Sequence, residues 1–110
     1  MIDWDKVREL QQEVGAEDFD EIVELFLEEV GEMIDKLSTF VDRKTLGADL
    51  HFLKGSASNL GFTSLANLCQ VGERAAEAGN AESVDVDKIL STYELSKQNF
   101  VRELPTLRVA

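Results

Sequence analysis

Residues 19–41 read FDEIVELFLEEVGEMIDKLSTFV, and this stretch carries the clearest periodicity in the chain. Apolar side chains recur at three- and four-residue steps from Phe19 to Val41, and acidic side chains such as Glu24 and Glu28 fall on the opposite side. This spacing is typical of an amphipathic α-helix. The stretch therefore predicts one long helix with a buried face and a negatively charged face.

The same periodicity continues on both sides of this helix. A short first helix is predicted to begin after a cap at Asp3 and to end at Gly15. Three further amphipathic helices are predicted downstream, over residues 45–60, 63–78 and 84–104, with Pro105 following the end of the last one. Four substantial helices with short connections predict an all-α fold, an antiparallel up-down four-helix bundle with a short additional N-terminal helix over one end. We expect residues 1–110 to form a single domain.

The composition restricts the kinds of partner that this chain can bind. Its net charge is −11, which argues against nucleic acid and against anionic membrane surfaces, since both require a basic patch. The sequence contains no apolar run of about 18 residues and no signal-peptide pattern, so we expect a cytoplasmic protein. The single cysteine, Cys69, is expected in the core, because a lone cysteine cannot form an internal disulfide.

A second stretch, residues 51–61, reads HFLKGSASNLG and contains the only histidine in the chain, His51. Lys54 and Gly55 follow it by three and four residues, so a helix places them on the same face, one turn along. Because His51 lies off the leucine stripe of this helix, we expect its imidazole to be exposed. A mid-helix glycine costs about 1 kcal/mol relative to alanine. Gly55, together with the small Ser58, is therefore expected to clear space for another molecule.

These residue types suit phosphoryl transfer. At neutral pH an ordinary imidazole is mostly the free base, which can attack phosphorus without a separate general base. Lys54 is placed to offset the charge of an anion carried on His51, because phosphoryl transfer depends mainly on positioning and charge neutralisation. The sequence has neither a P-loop pattern nor a kinase signature set. We therefore expect a phosphoryl carrier that does not bind ATP and is not an enzyme in the usual sense.

Residues 51–61 resemble the signature of histidine-containing phosphotransfer (HPt) domains, and the following FTSLANLC and Glu73 continue the resemblance. The resemblance implies that His51 accepts a phosphoryl group from the aspartate of one receiver domain and passes it to the aspartate of another. It also implies that Lys54 steadies the phosphoryl group, that Gly55 gives the receiver access, and that Ser58 is a small polar position near the imidazole.

The same resemblance implies which partners and cofactors to expect. The partners would be response-regulator receiver domains, with a hybrid histidine kinase as one candidate source. We expect no cofactor on this chain, since the Mg²⁺ would belong to the receiver. We also expect a monomer, because an accessible His51 face needs no second subunit.

Docking requires an apolar footprint around the imidazole. The first helix and the start of the second are candidates, through exposed members of the set Leu10, Val14, Phe19 and Ile22, and Phe62 is a further candidate. Each of these side chains is also compatible with a place in the core.

Two other functions remain open at this point. The first is a phosphate-independent helical adaptor that binds response regulators, against which the presence of His51, Lys54 and Gly55 argues. The second is a metal- or cofactor-binding bundle, which the shortage of histidine and of inward Glu-x-x-His pairs disfavours.

Overall fold

The computed structural model describes residues 1–109, with side chains described for residues 1–105. Five helices account for most of the described chain: α1 (Trp4–Val14), α2 (Ala16–Thr39), α3 (Leu46–Asn59), α4 (Thr63–Glu77) and α5 (Val86–Val109). The described residues contain a 3₁₀ turn at Ala81–Ser83 and no strand, so the all-helical prediction is confirmed. Within this part of the chain, no helix is both long enough and apolar enough to cross a membrane.

The first helix begins and ends where the sequence predicts, whereas α2 begins three residues before Phe19 and ends two residues before Val41. The Asp3 carboxylate accepts a hydrogen bond from the Lys6 backbone N–H at 3.2 Å, which satisfies one of the free donors of the first turn of α1. Gly15 separates α1 from α2 with a φ of +86°, a backbone conformation that glycine adopts without steric cost. Asp3 therefore sets the start of α1, and Gly15 sets the junction between α1 and α2.

The last helix differs from its prediction at both ends. It begins at Val86, after the 3₁₀ turn, rather than at Val84, and it continues through Pro105 to Val109. Proline removes one backbone donor and leaves the carbonyl four residues earlier, that of Val101, without its helical partner. Both Val101 and Pro105 are exposed, so water can bond that carbonyl. The expectation that the helix ends before Pro105 was therefore wrong.

The core draws side chains from all five helices. Representative fully buried residues are Val7, Phe19, Leu53, Cys69 and Phe100. The Trp4 ring stacks on Phe100 with centroids 5.6 Å apart and an interplanar angle of 4°, which anchors α1 to α5. The predicted core position of Cys69 is confirmed.

α3 and α4 form the most extensive helix pairing, and small residues allow it. A Cβ added at Gly72 would lie 2.6 Å from the Leu50 Cδ1 atom, so only glycine fits without displacing the core. A Cβ added at Gly47 would lie 3.4 Å from the Ala76 Cβ atom. This close approach brings the outer edge of α4 within side-chain reach of His51.

Candidate functional site

The imidazole of His51 is held at the surface by the leucines on either side of it in the sequence. Leu50 and Leu53 are fully buried and fix the rotation of α3 about its axis. That rotation leaves the His51 side chain 71% exposed, as its place off the leucine stripe predicts. The ring is therefore accessible to another molecule.

Glu73 connects His51 to Lys54. Its two carboxylate oxygens lie 3.0 and 3.2 Å from the His51 Nδ1 atom and 3.0 and 3.1 Å from the Lys54 Nζ atom. The Glu73 side chain is only 10% exposed and that of Lys54 is 28% exposed. The nearly buried Glu73 carboxylate thus holds both the imidazole of His51 and the ammonium group of Lys54.

These contacts determine which nitrogen of the imidazole is free to react. The hydrogen bond from His51, followed by that from Lys54, lowers the pKa of Glu73, and these effects outweigh the desolvation that opposes them. An ionised carboxylate can only accept hydrogen bonds, so Nδ1 of His51 carries a proton and donates it. In the neutral ring the lone pair then lies on Nε2, which is the nucleophilic atom.

A cleft of about 420 Å³ opens beside these groups. Its walls include His51 and Glu73 on one side and Arg43 and Lys44 on another. The Arg43 guanidinium donates to the backbone carbonyls of Ala81 and Val84, at 2.9 and 3.2 Å, so its position is fixed. Glu77 also lines the cleft, and the Arg43 Nε atom lies 3.9 Å from a Glu82 carboxylate oxygen, so the cleft combines room beside the imidazole with charges of both signs.

A family model described as the Hpt domain matches residues 21–107, which is most of the chain. This chain belongs to the Hpt family. Hpt domains carry phosphoryl groups on a histidine in phosphorelays, act as carriers rather than kinases, and bind the receiver domains of response regulators. No curated protein matches this chain.

In this Hpt domain the two small residues predicted near the imidazole are both at the surface. Gly55 and Ser58 are exposed on α3, one and two turns beyond His51. A Cβ added at Gly55 would meet no atom within 4 Å. Nothing inside the protein therefore requires glycine at this position.

The predicted docking residues divide into two groups. Phe62 is fully buried, with its ring centroid 4.9 Å from that of Phe26 and 5.3 Å from that of Phe100, so its prediction as a docking residue was wrong. The residue after a helix-ending glycine turns back into the bundle here, and an aromatic ring gains more by filling the core than by facing water. Phe19 is fully buried as well.

Leu10, Val14 and Ile22 are half-buried, and Leu10 and Val14 pack against the core. Leu10 and Ile22 line a shallow groove of about 160 Å³ between α1, α2 and α3, whereas Val14 does not. The other residues that line the groove are Leu25, Phe26, Glu29, Ser56, Asn59 and Leu60.

Two surface contributors were absent from the sequence-based docking set. Leu25 is 53% exposed in the groove wall, and Phe52, next to the histidine, is 39% exposed. The structural role of Glu73 was also missed, although a signal was present. Glu73 lies four residues after Cys69 on the inward stripe of α4, and a carboxylate at such a position needs partners.

Proposed function

We propose that this Hpt domain accepts a phosphoryl group on His51 from a receiver-domain aspartate and passes it to the aspartate of another receiver. The observation that carries the proposal is the exposed imidazole whose Nδ1 atom is held by Glu73 at 3.0 Å, which leaves Nε2 free. His51 is also the only histidine of the chain, and a phosphotransfer domain requires one.

The chemical step is a displacement at phosphorus. The Nε2 lone pair of His51 forms the new N–P bond, and the bond between phosphorus and the aspartyl oxygen breaks, so the aspartate leaves as a carboxylate. The ring keeps its Nδ1 proton and becomes a cationic phospho-imidazole. The Glu73 carboxylate, which accepts that proton's hydrogen bond, stabilises the positive charge. Transfer to the second receiver reverses these bond changes.

Lys54 is placed to neutralise the incoming phosphoryl group. Its ammonium group has three donors, and the two oxygens of Glu73 lie within hydrogen-bond distance of it. A donor remains for a phosphoryl oxygen on His51, so Lys54 can bridge the phosphoryl group and Glu73. We further propose that this chain needs no cofactor, that the Mg²⁺ is bound by the receiver, and that ATP is not a substrate.

The receiver would dock over Gly55 and Ser58 and extend into the groove that includes Leu10 and Leu25. This arrangement places an apolar footprint next to the imidazole, as a protein interface requires. Ser56 and Asn59 of α3 line that groove, so the groove and the His51 face share one helix. Val14 lies one turn beyond Leu10 on α1 but does not line the groove.

We propose that residues 1–110 act as a monomeric single domain in which α2 to α5 form an antiparallel up-down bundle with α1 over one end. The contact between the start of α1 and the α3–α4 turn supports this arrangement. The Asp3 backbone N–H donates to the Gly61 carbonyl at 2.8 Å, and Gly61 has a φ of +79°. A Cβ at Gly61 would lie 2.7 Å from the Asp3 carbonyl oxygen.

The test is phosphoryl transfer from phosphorylated receiver domains to this protein and to its His51→Gln variant. We expect acid-labile, base-stable label on the original protein and none on the variant. Because His51 lies outside the core, circular dichroism and thermal melting of the variant should be largely unchanged. A folded protein that takes no label from a broad panel of receivers would instead support a phosphate-independent adaptor.

A further inference from the structure

The excess of negative over positive charge in this chain is confined to its first third. Residues 1–35 contain thirteen acidic and two basic residues, whereas residues 36–110 contain nine of each. The whole net charge of −11 therefore lies on α1 and on α2 up to Asp35. Acidity that served solubility alone would not need to be concentrated in this way.

Part of this charge lies along the α2 side of the apolar groove. Leu25 lies at the surface of α2, and residues three, four and seven positions away share its face. These positions hold the exposed residues Glu21, Glu28, Glu29 and Glu32, which we name the acidic rim. Glu29 lines the groove itself and, with Glu32, lines the adjoining surface at Phe52.

The acidic rim is available to a partner. Among the described residues, the ion pairs of the protein involve none of its four carboxylates. Lys36, a neighbouring cation on α2, is engaged by the buried Asp49, with both Nζ–oxygen distances at 3.1 Å. The rim is therefore not neutralised by its surroundings.

We propose that the groove and the acidic rim select receiver domains whose docking face presents apolar side chains surrounded by lysine and arginine. This inference rests on the proposed phosphotransfer function and specifies the partner for it. Complementary charges around an interface raise the association rate and reject partners of like charge. A receiver with an acidic docking face would be repelled by the rim before its aspartate reached His51.

The acidic rim lies on a different helix from the residues that carry out phosphoryl transfer. Its residues lie on α2, whereas His51 and Lys54 lie on α3 and Glu73 lies on α4. Neutralising the rim is therefore expected to change the rate at which a receiver arrives and not the rate of transfer within the complex.

The experiment compares a rim variant, Glu28→Gln with Glu29→Gln, with a control variant, Asp87→Asn with Glu94→Gln. Both variants remove two negative charges, and the control residues are exposed on α5. The donors are phosphorylated receiver domains from a panel that spans basic and acidic docking faces. The readouts are kcat/KM and kcat of label transfer at low and at high salt.

We expect the receivers with basic docking faces to be the fastest donors. With such a donor at low salt, kcat/KM of the rim variant should fall by roughly tenfold, within the range of electrostatic steering effects. The control variant should change by less than about twofold, because its charges lie away from the interface. High salt should remove the difference, and kcat should be the same for all three proteins.

Three results would overturn the inference while leaving phosphotransfer intact: equal losses in both variants, rates independent of salt, or no preference for basic docking faces. If no receiver labels His51, the proposed function fails and this inference fails with it. Labelling of His51 thus tests the function, and the dependence of its rate on rim charge tests the partner.

Discussion

Replacing Gly55 with alanine is expected to stabilise this protein, although glycine is the residue that the chain uses. Alanine is more favourable than glycine in a helix interior by about 1 kcal/mol. The full gain is expected because a Cβ at Gly55 meets no atom within 4 Å. For a domain of this size, 1 kcal/mol raises the melting temperature by about 4 °C. Urea unfolding followed by circular dichroism measures the gain directly.

Transfer is expected to change in the opposite direction when the new side chain is long. Gly55→Gln keeps most of the helix-propensity gain and places a flexible side chain one turn from the imidazole. Crowding a packed contact costs about 1–3 kcal/mol, which corresponds to a loss of kcat/KM for transfer of roughly fivefold to 150-fold. Gly55→Gln should therefore raise the free energy of unfolding while it lowers the rate of transfer.

Gly31→Ala is the matched control for Gly55→Ala and Gly55→Gln. Gly31 also lies inside a helix, and a Cβ there meets no atom within 4 Å. It is six residues from Leu25, which places it on another side of α2 from the groove. We expect Gly31→Ala to stabilise the protein without changing transfer. If Gly55→Gln transfers as fast as the original protein, Gly55 does not provide clearance for a partner.

Two further predictions follow from the titrating groups. The folded-state pKa of Glu73 is lowered, so its contribution to stability is fully present above the ordinary carboxyl pKa of about 4.5 and is lost as the pH falls through the lowered value. The difference in unfolding free energy between the original protein and Glu73→Gln, measured by urea unfolding, should therefore shrink on going from neutral pH to about pH 3. A difference that does not depend on pH would refute the stabilising role assigned to the Glu73 carboxylate. Burial, with the charge of Glu73, raises the pKa of the Cys69 thiol to about 12. Cys69 should therefore react with a thiol reagent at mildly alkaline pH only when the protein is unfolded in denaturant, and rapid reaction of the native protein would contradict its placement in the core.

Most of the fold can be predicted from the sequence because its helices are amphipathic. Leu46, Leu50, Leu53, Ala57 and Leu60 recur at helical spacing in the third predicted helix, and all five are buried. The same stripe predicts an exposed His51, since a residue between buried leucines must face away from them. The helix ends at Asp3 and Gly15 follow from local capping chemistry, which also depends only on neighbouring residues.

What the sequence could not provide depends on contacts between distant residues. The partner of His51 is Glu73, 22 residues away on another helix, and periodicity gives no distance between helices. The burial of Phe62 depends on space that Phe26 and Phe100 leave between them. The continuation of α5 through Pro105 depends on which side of the helix meets water. Each of these outcomes is decided by tertiary packing.

The small residue Gly72 of α4 is needed both for packing of the core and for the position of Glu73 beside His51. Gly72 immediately precedes Glu73, and it allows α4 to approach the Leu50 side chain of α3. A larger residue at position 72 would push the helices apart and lengthen the 3.0 Å contact between Glu73 and His51. That contact keeps the proton on Nδ1 and the lone pair on Nε2. The tautomer of His51 is therefore set by how closely α3 and α4 pack beneath it. The reactivity of this exposed imidazole thus depends on the buried side chains that fix that packing.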